Sequence, residues 1–337
     1  MSSLIAWAAL SVITPLADAH SCNPEYTPAA EVELSQSTVA LVTHASAHFD
    51  QLRQTKRGVD QTVAAMKRRG LPVIYLHDRG HVNNPEWMYL YDDWEPTAFV
   101  DSDIGFFDFD MSSVRHVVCL GGFFWCCERN TVSDAIRLWR RDAPEHDLRI
   151  TQVVDGIFDV AEAVIPPYRD RVRKFQADVL WKQHPQASIT LKQILRLIDD
   201  DKMAVEFLSR QVPAFPADVN VTIDYFGYRV KIRDALPRSG NDVLMSSTAE
   251  STTTVSFQNT SSPRPDSSTA SRKPFRSDAE YDREQSREVQ RIPELVIAFR
   301  TSRNFLADTP NASRDRLSII EEFVRWPQTL KRLTHGK

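Results

Sequence analysis

The first half of the chain alternates short, continuous apolar segments with amphipathic helical patterns, and this alternation limits the fold more than any other feature. The helical patterns span residues 58–70 and 131–141. The apolar segments, each short enough for a buried strand, span residues 37–44, 71–78, 116–122 and 148–156. Strands separated by helices join through right-handed crossovers, which give a parallel sheet covered on both faces. We therefore predict an α/β fold with a Rossmann-like parallel sheet and helices on both of its faces.

The second half of the chain has a different organisation. Residues 166–238 combine helical patterns with an alternating segment that predicts a β-hairpin turning at Gly227. Residues 239–279 are rich in Ser, Thr and Pro with few large apolar side chains, which predicts loop or disorder. Residues 280–337 are predicted to be helices. The sequence thus predicts a C-terminal α+β extension after the parallel sheet.

The first 22 residues have the composition of a signal peptide. An uncharged apolar stretch precedes Ala17-Asp18-Ala19, a small-x-small cleavage pattern, although no Lys or Arg comes before that stretch. Both an exported and a cytoplasmic location stay open. No later segment approaches ~18 uninterrupted apolar residues, so we expect no membrane span.

The charge balance argues against nucleic acid as a partner. The 337 residues include 41 Lys and Arg against 45 Asp and Glu, for a formal charge of −4. This balance leaves no excess of positive charge to neutralise phosphates. The remaining partner classes are a small-molecule substrate and a protein, which includes another copy of this chain in a homo-oligomer.

Two of the four cysteines stand side by side where the third apolar segment meets a helix. Ligands of parallel sheets bind at the carboxyl ends of the strands, which is where Cys126 and Cys127 fall. A cysteine at a helix N-terminus lies at the positive end of the helix dipole, which favours the thiolate that attacks a carbonyl carbon. The alternative is that both cysteines are small apolar residues buried beneath the helix.

The residue spacing around this junction resembles that of the isochorismatase-like cysteine hydrolases, a family that includes the nicotinamidases. The family has a glycine after its third strand, a nucleophilic cysteine six residues later and a Thr-x-x-Asp-Ala helix start. These positions correspond to Gly121, Cys127, Thr131, Asp134 and Ala135. The resemblance covers about residues 34–165 and implies an isochorismatase-like α/β domain there.

The resemblance also implies roles for individual residues. Cys127 takes the position of the nucleophile, and backbone amides at Gly122, Phe123 and Cys127 take the position of the oxyanion hole. A cis peptide bond is implied between Gly122 and Phe123. An active member of the family would be a hydrolase acting on non-peptide C–N bonds of small amides.

The rest of the family's catalytic triad does not match this sequence. The aspartate that serves as general base falls on His44, or on Ala45 if the alignment slips by one residue, and the lysine falls on Asp93. This change favours a domain that is non-catalytic, a pseudoenzyme, or very weakly active. The alternative is a hydrolase in which Cys127 and His44 form a dyad steered by Asp93.

A second group of polar side chains follows the second apolar segment. It consists of His77, Asp78 and His81, and some nicotinamidases hold zinc with an aspartate and two histidines from this part of the chain. Imidazole and carboxylate are ligands that suit zinc. Two interpretations stay open: a zinc site, or histidines that pair with carboxylates or solvent in a protein without a cofactor.

Overall fold

A computed structural model describes residues 25–46, 49–50, 53–77, 95–160, 168–175, 188–198, 200–211, 216, 218–226, 228–233, 256–258 and 292–306. Within these residues the framework is a ten-stranded sheet. Its strands are β1 (Thr38–Thr43), β2 (Val73–His77), β3 (Ala98–Asp101), β4 (His116–Gly122), β5 (Leu148–Asp159), β6 (Ile189–Thr190), β7 (Asn220–Tyr225), β8 (Tyr228–Arg233), β9 (Ser256–Gln258) and β10 (Glu294–Arg300). The helices are α1 (Lys56–Arg68), α2 (Cys127–Asp142), α3 (Tyr168–Phe175), α4 (Leu191–Leu197) and α5 (Asp201–Gln211).

The order of the strands places a topological switch point between β1 and β4. From β1 the chain proceeds outward through β2 to β3, and it then returns to β4 on the other side of β1. The sheet continues from β4 through β5, β10, β7, β8 and β9, with β6 attached to β5. The β6, β8 and β9 pairings are antiparallel and the others are parallel. In such sheets, ligands bind in the crevice at the switch point.

Helices α1 and α2 cover opposite faces of this sheet. Alternate residues of β1 belong to two separate hydrophobic clusters, with Leu41 in the cluster of α2 and Val42 in the cluster of α1. The apolar side chains that recur at helical spacing in the two predicted helical patterns are buried in these clusters: Val59, Val63 and Met66 on α1, and Val132, Ile136 and Trp139 on α2. The predicted α/β fold class is therefore confirmed.

The prediction of helices after residue 280 is wrong for Glu294–Arg300, which forms β10. This strand is hydrogen-bonded in parallel to β5 on one side and to β7 on the other. Leu295 and Ile297 lie in one hydrophobic cluster. Ala298, which follows Ile297, is also fully buried. Residues 295–299 are all apolar, which suits a strand with both faces covered. The two neighbouring strands complete the hydrogen bonds of β10.

Strands β3 and β9 are also absent from the sequence prediction. They have four and three residues, and β9 falls in the segment predicted to be loop or disorder. Segments this short have too few residues for a periodic pattern, and pairing with neighbouring strands decides their conformation. The predicted hairpin is confirmed, because β7 pairs with β8 up to Tyr225 and Tyr228.

The described strands of the second half belong to the same sheet as those of the first half, and β10 joins β7 to β5. The predicted signal peptide lies outside the described residues, and the segment boundaries taken from composition stay predictions. Among the described residues, no helix combines the length and the apolar character that crossing a membrane requires.

Candidate functional site

The candidate site lies at the switch point, where β1 and β4 end side by side. Thr43, the last residue of β1, pairs with Gly121 of β4. Gly121 has a φ of +98°, and a Cβ atom there would lie 1.9 Å from the carbonyl oxygen of Thr43. Only glycine fits such an approach. It holds the segment after β4, which contains the two adjacent cysteines, against the end of β1.

The turn from β4 into α2 is fixed by its own backbone hydrogen bonds. The peptide bond between Gly122 and Phe123 is cis, as the resemblance implies. The amides of Cys126 and Glu128 both donate to the carbonyl oxygen of Phe123, at 2.9 and 3.0 Å. These two amides are therefore engaged within the turn and are not donors for an oxyanion.

The same turn is also bound to the end of β5. The amide of Phe124 donates to the carbonyl oxygen of Phe158 at 2.9 Å, and the amide of Trp125 donates to a carboxylate oxygen of Asp159 at 3.1 Å. Asp159 is fully buried. The oxyanion hole that the resemblance implies, at Gly122, Phe123 and Cys127, stays a prediction.

Cys127 is the first residue of α2, and its side chain is mostly buried. Its carbonyl oxygen accepts a hydrogen bond from the Thr131 hydroxyl at 3.1 Å, and that hydroxyl also lies 2.9 Å from the hydroxyl of Thr43. Gly105, with φ +87°, packs so closely that a Cβ atom would lie 2.1 Å from the Cys127 carbonyl oxygen. Three segments thus define the position of Cys127: the start of α2, the end of β1 and the loop after β3.

His44 follows β1 directly and is almost completely buried. Its φ is +48°, a left-handed conformation that is uncommon outside glycine and often marks functional positions. Its Nε2 lies 3.1 Å from the carbonyl oxygen of Ser102, so this nitrogen carries a proton and donates. The imidazole stacks on Phe49 with ring centres 5.7 Å apart, and Phe49 meets the ring of Phe123 edge-on at 5.9 Å.

The other predicted site residues are only partly described. Asp93, Asp78 and His81 lie outside the described residues. His77 ends β2 and is buried, and its Nδ1 is hydrogen-bonded to the hydroxyl of Tyr26. No group of three or more potential metal ligands occurs among the described residues, so the zinc site stays a prediction.

Glu128 is a site residue that the sequence interpretation did not identify. It follows Cys127 and is fully buried, and both of its carboxyl oxygens lie 2.8 Å from Nε2 of Gln152 on β5. Burial is the main cause that raises the pKa of this carboxyl to about 8. An acidic residue in the first turn is ordinary for an exposed helix start, so its position in the chain does not indicate burial.

Comparisons with known proteins gave matches in structure only. No family model matches the sequence, and no curated protein matches it. A protein assigned as an isochorismatase from Burkholderia xenovorans LB400 is similar over 37% of this chain and 69% of its own, with 13% identity and a TM-score of 0.30. N-carbamoylsarcosine amidase from Thermoplasma acidophilum is similar over 43% of this chain and 92% of its own, with 17% identity and a TM-score of 0.27.

A third neighbour covers a larger part of this chain. The MAR1 ribonuclease from Caenorhabditis elegans is similar over 54% of this chain and 92% of its own, with 13% identity and a TM-score of 0.27. These values are too low to carry an argument about activity, which rests on the site itself. The resemblance to the isochorismatase-like hydrolases rests on the residue spacing around Cys127.

Proposed function

We propose that this chain carries an isochorismatase-like α/β domain that is non-catalytic or hydrolyses small amides only very slowly. One observation supports this most: the position of the general base is occupied by His44, and its Nε2 is engaged with the Ser102 carbonyl oxygen. An aspartate at this position would take the thiol proton, which leaves a thiolate anion next to the lysine cation of the family's triad. A buried histidine is a weaker replacement for an aspartate, since burial disfavours the charged form that a histidine takes when it accepts the thiol proton.

The alternative is a cysteine hydrolase of small amides. The observation that favours it is the position of Cys127 as the first residue of the sixteen-residue helix α2, where the helix dipole stabilises a thiolate. With Nε2 protonated, Nδ1 of the neutral His44 ring is the basic nitrogen. It would accept the thiol proton as sulfur attacks the amide carbonyl carbon, with the amides of Phe123 and Cys127 bonding the oxyanion.

The remaining steps of this alternative follow from the same residues. The C–N bond breaks, and the departing amine takes the proton held by His44. Water then attacks the thioester carbon, which releases the carboxylic acid and returns the proton to the sulfur of Cys127. In this scheme Asp93 would stabilise a protonated His44.

The partner of the domain depends on whether the domain is a hydrolase or non-catalytic. A hydrolase takes a small amide as substrate, whereas a non-catalytic domain binds a small molecule or a protein, including a second copy of this chain. Neither scheme uses a bound metal, and the zinc ligands His77, Asp78 and His81 stay a separate proposal.

The proposal is tested by assaying the purified full-length protein against a panel of small amides. We expect no turnover, or turnover close to the detection limit, in the native protein. Cys127→Ala tests whether any residual activity uses this thiol, and Cys126→Ala is the matched control on the neighbouring thiol. Rapid hydrolysis that is lost in Cys127→Ala and retained in Cys126→Ala would establish the hydrolase instead.

A further inference from the structure

A buried cluster of three side chains lies directly beneath the first turn of α2. Cys119 on β4 and Gln152 on β5 are paired residues of neighbouring strands, so their side chains lie side by side. Glu128 reaches them from the helix, with its carboxyl hydrogen-bonded to the Gln152 amide and to the Cys119 thiol. Cys119 and Glu128 are fully buried and Gln152 is nearly so.

The described hydrogen-bond partners of the Glu128 carboxyl are both uncharged. Gln152 Nε2 faces both carboxyl oxygens, and the Cys119 thiol bonds the carboxyl from β4. These two donors favour the carboxylate, but full burial without a cation among the described partners opposes it more strongly. Gln152 Oε1 is buried and has no hydrogen-bond partner among the described residues, and rotating the amide by 180° would turn this acceptor towards a protonated Glu128.

The titratable groups that face Glu128 are acidic. Cys119 faces it from β4 and Asp159 from β5, and Cys127 precedes it on α2. Burial, followed by the charge of Glu128, raises the pKa of the Cys119 thiol well above its ordinary value. Ionised Glu128 would therefore add a second negative charge close to Asp159 and next to the Cys127 thiol, which a proton on Glu128 avoids.

Glu128 also connects this cluster to the turn that carries Cys127. Its amide donates to the carbonyl oxygen of Phe123, while its side chain is bound to β4 and β5. We infer that Glu128, a neutral acid because it is buried among the uncharged side chains of Gln152 and Cys119, is a positioning residue that fixes the first turn of α2 and keeps negative charge away from the Cys127 thiol. This role concerns the thiol and not turnover, so it holds for a non-catalytic domain as well as for a hydrolase.

The first test follows alkylation of each cysteine by iodoacetamide, mapped by mass spectrometry, from pH 6.5 to pH 9. Glu128→Gln keeps the shape and hydrogen bonds of the neutral acid but cannot ionise. We expect Cys127 to react at about the same rate in both proteins at pH 6.5 and about threefold faster in Glu128→Gln at pH 9, because the native carboxylate opposes the thiolate there. Glu33→Gln, a change at an exposed glutamate, should match the native protein throughout.

The same experiment supplies an internal reference. Cys119 is fully buried, so we expect it to react far more slowly than Cys127 in all three proteins. A ratio of the Glu128→Gln and native rates at Cys127 that does not change with pH would overturn the inference.

A second measurement uses the native protein and does not require any variant to fold. Carbon-13 NMR of the glutamate side-chain carboxyls should show one buried group, that of Glu128, with a titration midpoint near pH 8. A midpoint near 4.5, the ordinary value of a glutamate side chain, would show that the carboxyl is ionised at neutral pH and would refute the assignment. Either result is independent of whether the protein hydrolyses amides.

Discussion

Glu128 and Asp224 are both buried acidic side chains, but the protein compensates them in different ways. Asp224 on β7 accepts a hydrogen bond from the fully buried guanidinium of Arg300 at the end of β10, with 2.6 Å between Nη2 and Oδ2. Glu128 lies near the switch point with a neutral amide and a thiol as its hydrogen-bond partners. A buried charge needs either an opposite charge or a proton, and these two regions of the sheet use one solution each.

The difference indicates a structural role for the Asp224–Arg300 pair and a charge that can change with pH for Glu128. The pair of Asp224 and Arg300 brings opposite charges together, so that each compensates the burial of the other. Glu128 can change its charge within the neutral range, next to the thiol of Cys127. The region around the candidate nucleophile is thus the part of the sheet where pH should have an effect.

The largest change in the free energy of unfolding is expected from removing one partner of the buried ion pair. Arg300→Met leaves the buried Asp224 carboxylate with only the exposed Arg229, 4.0 Å away, as a cation, which should lower the free energy of unfolding by up to about 3–5 kcal/mol. Urea denaturation at pH 7 with a constant m-value measures this change. Arg68→Met, at an exposed arginine of α1, is the matched control and should change stability by no more than about 0.5 kcal/mol.

A double variant sharpens the same prediction. Combining Arg300→Met with Asp224→Leu removes both charges, and it should restore most of the lost stability because replacing a buried ion pair by apolar side chains is often close to neutral. A cost of less than about 1 kcal/mol for Arg300→Met alone would mean that water or other groups compensate Asp224, and the contrast with Glu128 would fail.

The second effect concerns the pH dependence of stability. The folded-state pKa of Glu128 is raised from 4.5 to about 8, so the folded protein holds a proton that the unfolded chain has released between these values. The contribution of protonated Glu128 to the free energy of unfolding is complete below pH 4.5. This contribution decreases as the pH rises towards 8, by up to about 1.4 kcal/mol per pH unit.

The measurement compares urea denaturation of the native protein and Glu128→Gln from pH 5 to pH 9. The difference between the two free energies of unfolding should shift in favour of Glu128→Gln as the pH rises, and it should level off above about pH 8. Parallel curves for the two proteins would show that Glu128 has an ordinary pKa and that the proposed neutral cluster does not exist.

The smallest effect is expected where an ion pair is exposed. Arg140 on α2 pairs with Asp218, and their side chains are 36% and 67% exposed. Solvent screening limits such pairs to between zero and about 1 kcal/mol, so Arg140→Met should cost less than a third of the Arg300→Met effect. Similar costs for the two arginines, measured by the same urea denaturation, would remove the distinction between buried and exposed compensation.

The central part of the fold was predictable from sequence because its signals are local. The apolar runs of β1, β2, β4 and β5 and the inward faces of α1 and α2 follow from residues close together in the chain. By contrast, β10 is a run of apolar residues far from its neighbours in sequence, and its pairing with β5 and β7 could not be read from its own pattern. The same holds for β3 and β9, which are too short for a periodic signal.

The site shows the same division. The glycine at 121, the cysteine at 127 and the threonine at 131 stand at the spacing that carries the family resemblance, and that resemblance implies the turn and its cis peptide bond. The burial of Glu128 depends on Gln152, 24 residues further along the chain, and on Cys119 of the adjacent strand. Such a cluster exists only once β4 and β5 have paired, which explains why sequence interpretation missed it.

We propose that the scaffold around Cys127 is intact and that the missing general base limits its chemistry. The most direct measurement is amide hydrolysis by a double variant, His44→Asp with Asp93→Lys, compared with the native protein and with the same double variant carrying Cys127→Ala. We predict that the double variant hydrolyses at least one small amide about 100-fold faster than the native protein, as expected for a restored acid–base group, and that Cys127→Ala abolishes this gain. A native protein that hydrolyses amides rapidly, with a rate that the double change lowers, would contradict the claim.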